Sequence, residues 1–170
     1  SLHTIQGRRL SRVTSSSGAI SSLAFGSDAE GVVLAGASDE RLAVWRVSGG
    51  LKTMLRVPTA PGVVSMAFTE DRSMIHLLTD EGMLLSCSLS DQAPTMVRRT
   101  LASSKLDAGV FDAAGDHVLL VEPSSMSIWS LQSLSQVTPS MPLSVNVGIY
   151  ALGPDGTSFA HGDRMGAMTI

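Results

Sequence analysis

The side chains able to do chemistry in this 170-residue chain are few and far apart. Four are histidines: His3, His76, His117 and His161. A metal site needs several His, Cys, Asp or Glu side chains converging to about 2.0–2.3 Å from one ion. His76 stands four residues before Asp80 and His161 two before Asp163, so they fall at different places in their segments and form no common ring of ligands. His117 opens its segment. This spacing predicts satisfied or exposed histidines and no metal. His161-Gly162-Asp163 has the look of a base beside its orienting acid. A nucleophile must complete such a set, and the chain has no Gly-x-Ser-x-Gly elbow to offer one. The single cysteine, Cys87, would need a cation beside it to react. Arg98 and Arg99 follow in the next segment, but no spacing brings them to it, so Cys87 is expected to be small core filler. The glycines are spread one or two per turn, and none forms a phosphate-cradling loop before a helix. No cofactor is expected, and no catalytic residue is assigned.

The elements that would position any of these side chains are strands. Gly18 to Val47 reads as three: Ala19–Phe25, Val32–Ala37 and Leu42–Val47. They are rich in Val, Leu and Ile and bounded by Gly, Ser and Asp, with Gly26–Gly31 and Ser38-Asp39-Glu40 as turns. The stretch recurs. Phe25, Phe68 and Phe111 end the first strand of successive units at a constant spacing of 43, and Leu152 takes that place 41 residues on. Trp45, Cys87 and Trp129 fall in the third strands, 42 residues apart. A period of about 40–45 residues holding four strands is that of a propeller blade. Runs such as Val118-Leu119-Leu120-Val121 suit strands buried on both faces between stacked sheets. No helix is expected.

With this period, the third-strand Trp and the Asp of the preceding turn (Asp39, Asp80, Asp163), almost the whole chain resembles the WD40-repeat family. The resemblance implies an all-β fold, a WD40-like β-propeller of about four blades of four antiparallel strands. The blades run roughly over 16–57, 58–101, 102–142 and 143–170, and an outer strand over 5–15 belongs to a preceding or closing blade. Trp45, Cys87 and Trp129 take the blade-structural position. The departures are specific. The family's Trp-Asp pair is Trp45-Arg46, Cys87-Ser88 and Trp129-Ser130 here, no unit has the Gly-His pair, and Pro123-Ser124-Ser125 replaces the third turn's Asp. The polar network that stiffens a blade in the family is therefore incomplete, and packing is expected to hold these blades. The frame suggests a piece of a larger propeller, with a ring of two copies and a closed four-blade ring as alternatives.

Function is expected in the turns, because loops held on a rigid scaffold are where binding usually sits. Asp39-Glu40-Arg41, Asp80-Glu81 and Asp163-Arg164 fall at turns between second and third strands, which leave successive blades on one face. They are the candidate partner-binding residues. The basic pairs Arg8-Arg9, with Arg12, and Arg98-Arg99 lie at outer strands and read as edge protection. Net charge is −3, which argues against a sequence-independent grip on nucleic acid. One cysteine excludes an internal disulfide and favours a reducing compartment. No apolar run approaches the length of a membrane span and no signal peptide is evident, so an intracellular, cytoplasmic location is expected, with the nucleus as an alternative. The resulting expectation is a non-catalytic scaffold binding other proteins, or itself, or the remainder of a larger propeller. The alternatives are an RNA-binding propeller of a ribonucleoprotein and an enzyme with a site in the propeller funnel.

Overall fold

The computed structural model describes residues 2–3, 9–11, 19–28, 30–47, 51–89, 94, 96–143, 147–163, 165 and 167–170. Among these residues every regular element is a β-strand. The chain divides into two compact units, Ser1–Val63 and Val64–Ile170.

In the first unit, β1 (Leu2–His3) pairs antiparallel with β2 (Arg9–Ser11). β3 (Ile20–Asp28), β4 (Gly31–Ser38), β5 (Arg41–Val47) and β6 (Leu51–Pro58) then form a four-stranded sheet in chain order. The strands follow from period-two alternation. Val33, Ala35, Ala37, Leu42 and Val44 are buried on one face. The other face carries Leu23 and Phe25, which are 60% and 62% exposed. β3 runs three residues past the expected end at Phe25, because Gly31 at φ 131° lets the chain reverse directly after the Asp28–Gly31 pair. Trp45 nevertheless lies 5% exposed. Its indole crosses the sheet over Gly36, where a Cβ would stand 3.1 Å from the ring. Arg46, in the place of the family's Asp, reaches Glu30 at 2.9 Å.

The second unit contains three sheets. β7 (Val63–Phe68), β8 (Met74–Thr79), β9 (Met83–Ser88) and β10 (Met96–Thr100) form the first of them, again in chain order. β11 (Ala108–Phe111), β12 (His117–Val121) and β13 (Ser125–Ser130) form the next. The outer strand of this sheet is two short pieces, β14 (Ser135–Gln136) and β15 (Met141–Pro142), both paired with β13. Between them Thr138 Oγ1 accepts the Ile128 amide at 3.0 Å, a side chain standing in for the ladder before Pro139. β16 (Val147–Leu152), β17 (Phe159–Asp163) and β18 (Met168–Thr169) complete the unit.

β12 explains its own composition. Val118 and Leu120 face one core cluster with Leu78, Leu84, Leu106 and Leu131. Leu119 and Val121 face another, with Ile128 packed by Tyr150, Leu152 and Phe159. Four consecutive apolar residues are thus buried alternately to both sides, each worth about 1.5–3 kcal/mol when fully removed from water. Gly109 lets β11 approach its neighbour, since a Cβ there would collide with Leu78 Cδ2. The register confirms the repeat: Leu34 opposes Trp45, Ile75 opposes Cys87 and Val118 opposes Trp129.

Candidate functional site

The first two turns between second and third strands are built alike. Ser38 is buried, accepts the Arg41 amide on its Oγ at 3.3 Å, and leaves Asp39, Glu40 and Arg41 exposed. Thr79, at the same register position, is buried and accepts the Met83 amide at 3.1 Å. A small hydroxyl residue closes each turn from below and pushes the charged residues outward. Glu81 is exposed, and Asp80 takes an ion pair from Lys105 Nζ at 3.0 Å. The Asp80 carboxylate raises the Lys105 pKa, chiefly through their hydrogen bond. The Asp80 carbonyl accepts the Leu106 amide, and the Gly82 carbonyl accepts the Leu101 amide at 2.9 Å, which ties this turn to the following connector.

The other two turns differ. Where Pro123 displaces the Asp, Glu122 holds the turn-closing position and accepts hydrogen bonds from Ser104 and Ser125. Asp163 stands four residues after Phe159, whose partner is Leu152. Ser38 stands four after Leu34, whose partner is Phe25. Asp163 therefore matches Ser38 and Thr79 rather than Asp39 and Asp80. Its Oδ1 accepts the Met165 and Ala167 amides, each at 2.9 Å. That places its carboxylate on its own turn and not on His161, whose ring stacks on Phe159 with centroids 6.2 Å apart. Arg164 lies outside the described residues. Among the described residues no three His, Cys, Asp or Glu side chains gather to hold a metal. Cys87 is buried with its thiol 3.6 Å from the Ser88 carbonyl, and Trp129 Nε1 donates to Ser127 at 3.1 Å.

The opposite turns, between first and second strands, hold acids that the sequence reading passed over. Asp71 accepts the Thr69 hydroxyl at 2.7 Å and the Ser73 amide at 3.0 Å. These bonds hold its carboxyl below the usual range, the Thr69 hydroxyl most. Asp155 takes Thr157 and Ser158 in the same way, and its pKa is driven down by the same kind of bond, that to the Thr157 hydroxyl first. The signal was an Asp with Ser or Thr two residues later, the mark of a side chain bonding its own turn. In the third of these turns buried Asp112 instead accepts the Asp116 amide and meets His117 Nδ1 at 3.0 Å.

Between two of these turns, within the second unit, lies a cleft of about 660 Å³. Its wall on one sheet includes His76, Ser86, Leu84 and Arg99, and on the next sheet Asp116 and Leu131. His76 is 8% exposed, with Nδ1 2.8 Å from Ser86 Oγ. Burial pushes its pKa down, opposed by the charge of Asp116. His76 pairs across the strands with Ser86. The matching pairs are Ala35–Val44 in the first sheet and Leu119–Ile128 in the third. A position that is apolar in two repeats is polar in this one.

No family model matches the chain, and no curated protein is detectably similar to it in sequence. Its backbone is similar to that of 761 chains of known structure. One is Kuenenia stuttgartiensis hydrazine synthase, at 10% identity and a TM-score of 0.61, over 82% of this chain and 43% of that one. Another is the β-propeller domain of Myceliophteria thermophila Cps50 (Swd1), at 16% identity and a TM-score of 0.63, over 85% of this chain and 49% of that one. This chain thus spans less than half the length of either neighbour. Likeness at these identities fixes the fold and leaves the activity open, since one fold hosts many functions. The fold is that of WD40-like β-propeller blades, an all-β architecture in four repeats.

Proposed function

We propose that this chain is a non-catalytic platform that binds other proteins through the charged turns of its blades. The observation that carries this reading is the turn at Asp39, Glu40 and Arg41. All three residues are exposed, while Ala37 and Leu42 on either side are wholly buried. A charged tip on two buried strands loses little conformational freedom on binding, which lowers the cost of ordering an interface. The Glu40 carbonyl also accepts the Thr59 amide at 3.0 Å, a second tether on the same tip. Asp80 and Glu81 repeat the pattern in the second unit. Part of the Asp80 charge is already met by Lys105, so the first turn is the stronger contact.

Photo-cross-linking tests this. A cross-linker placed at Glu40, in lysate of the source cell, is expected to yield a discrete protein adduct. Changing Asp39 and Arg41 to Ser should cut its yield about tenfold, the factor that corresponds to losing about 1.4 kcal/mol at an interface, with the strand signal in circular dichroism unchanged. An adduct indifferent to those changes would overturn the reading.

A further inference from the structure

The cleft between the second and third sheets of repeats departs from the pattern that explains the rest of the core, and no turn or strand requires that departure. His76 and Ser86 occupy a cross-strand pair that is Ala35–Val44 and Leu119–Ile128 in the neighbouring repeats. A repeat that gives up an apolar pair at a core register loses packing, and such local departures cluster at functional sites. A second departure lies at the rim. Leu134 has φ 51°, a left-handed conformation that a leucine adopts only at a cost, yet its side chain lines the cleft. Glycine would serve the turn better, so the leucine points to a role for its side chain at the rim.

The lining defines the ligand. Leu84, Val97, Leu131 and Leu134 supply an apolar surface. Glu70, Asp71 and Asp116 bring three carboxylates to the same opening. Against them stands one cation, Arg99, whose guanidinium donates to the Arg98 carbonyl of its own strand at 3.1 Å. His76 adds no charge at neutral pH, because burial holds it in the neutral form. Bonds from Thr69 and Ser73 keep Asp71 ionised. An apolar surface ending in excess negative charge complements a side chain with an aliphatic stem and a cationic head. We propose that this cleft takes an arginine or lysine side chain of a partner protein, the stem against Leu84 and Leu131 and the head toward Asp116 and Glu70. The proposal builds on the platform reading but uses other residues, none of them in the Asp39–Arg41 tip.

A soluble probe separates the two. The ¹⁵N-labelled 170-residue chain is titrated with Nα-acetyl-arginine methylamide and with its uncharged citrulline counterpart, and amide shifts are followed. The arginine compound should move amides of residues 69–76, 97–99, 116 and 131–134, and the citrulline compound should bind about tenfold more weakly. Asp116→Asn should weaken the arginine compound about 3- to 10-fold, while Asp107→Asn, an exposed acid outside the cleft lining, should leave it unchanged. Should Asp116→Asn fail to fold, raising salt to about 0.3 M with the unaltered chain gives the same reading, because screening must weaken the contact. Leu134→Gly should relax the turn and still lower affinity. Equal binding of the two compounds, shifts away from the cleft, or no shifts at all would overturn the proposal. None of those outcomes touches the Glu40 cross-link, so either reading can fail alone.

Discussion

Phe25 and Phe68 occupy the same position in two repeats and meet opposite fates. Phe68 is 6% exposed, and Phe25 is 62% exposed. Both belong to four-stranded sheets laid out in chain order, although β3 has nine residues and β7 six, and each third strand carries Trp45 or Cys87 at the matching register. The repeat pattern therefore dictates the sheet, and burial of a given row depends on what packs over it. Such covering is visible for the third repeat's equivalent, Phe111, which packs against a cluster in which Leu78 and Leu84 of one sheet meet Val118 and Leu120 of the next. Stability in a stacked-repeat protein is a sum of sheet and interface contributions. Two positions equal in sequence can then differ widely in energy.

The sharpest way to break this comparison is to truncate both rings. Phe68→Ala should cost about 3–5 kcal/mol, as for a fully buried phenylalanine. Phe25→Ala should cost about 1 kcal/mol, the range of strand propensity at an open face. Urea denaturation of the two variants measures the difference. Equal losses would mean that Phe25 is covered in solution and that the two rows are energetically one class.

A smaller effect distinguishes the second sheet from the others through His76. The native fold holds its imidazole neutral, with pKa below the ordinary 6.5, while the unfolded chain titrates near that value. As pH falls through about 6.5, the unfolded state takes up a proton that the native state refuses, so stability declines until the lower native pKa is reached. Glu70, Asp71, Arg99 and Asp116 line the same cleft. Of these, Asp116 raises the native pKa and so moderates the decline. His76→Gln should make Tm between about pH 7.5 and 5.5 flatter than in the unaltered chain. An unchanged slope would remove His76 from the account of this cleft.

Much of the fold was legible in the sequence. The 43-residue recurrence of phenylalanine, the third-strand Trp positions and the turn residues locate the strands, because each signal is local. Contacts between sheets are not local, and there the reading ran short. Asp163 looked equivalent to Asp39 and Asp80, yet its register places it with Ser38 and Thr79, one position earlier. His76 read as a lone histidine, and only the ladder shows that it displaces an apolar pair. The cleft joins Glu70 and His76 with Leu84 and Arg99 and with Asp116 and Leu134, which no periodicity associates. Pro139 bars a continuous outer strand at its place, but no local signal shows that Thr138 bridges the gap with a hydroxyl.

The central claim is that these blades hold their charged turns rigidly enough to serve as a binding surface. Native-state hydrogen exchange tests it at the amides of Arg41, Met83 and Leu101, which are bonded to Ser38 Oγ, Thr79 Oγ1 and the Gly82 carbonyl. The account predicts that all three exchange at least about a hundredfold more slowly than in an unstructured peptide, the protection of a site that opens at a cost of several kcal/mol. Exchange at unstructured rates beside slow exchange in β4, β5, β8 and β9 would mean loose tips on stiff sheets, and would contradict it.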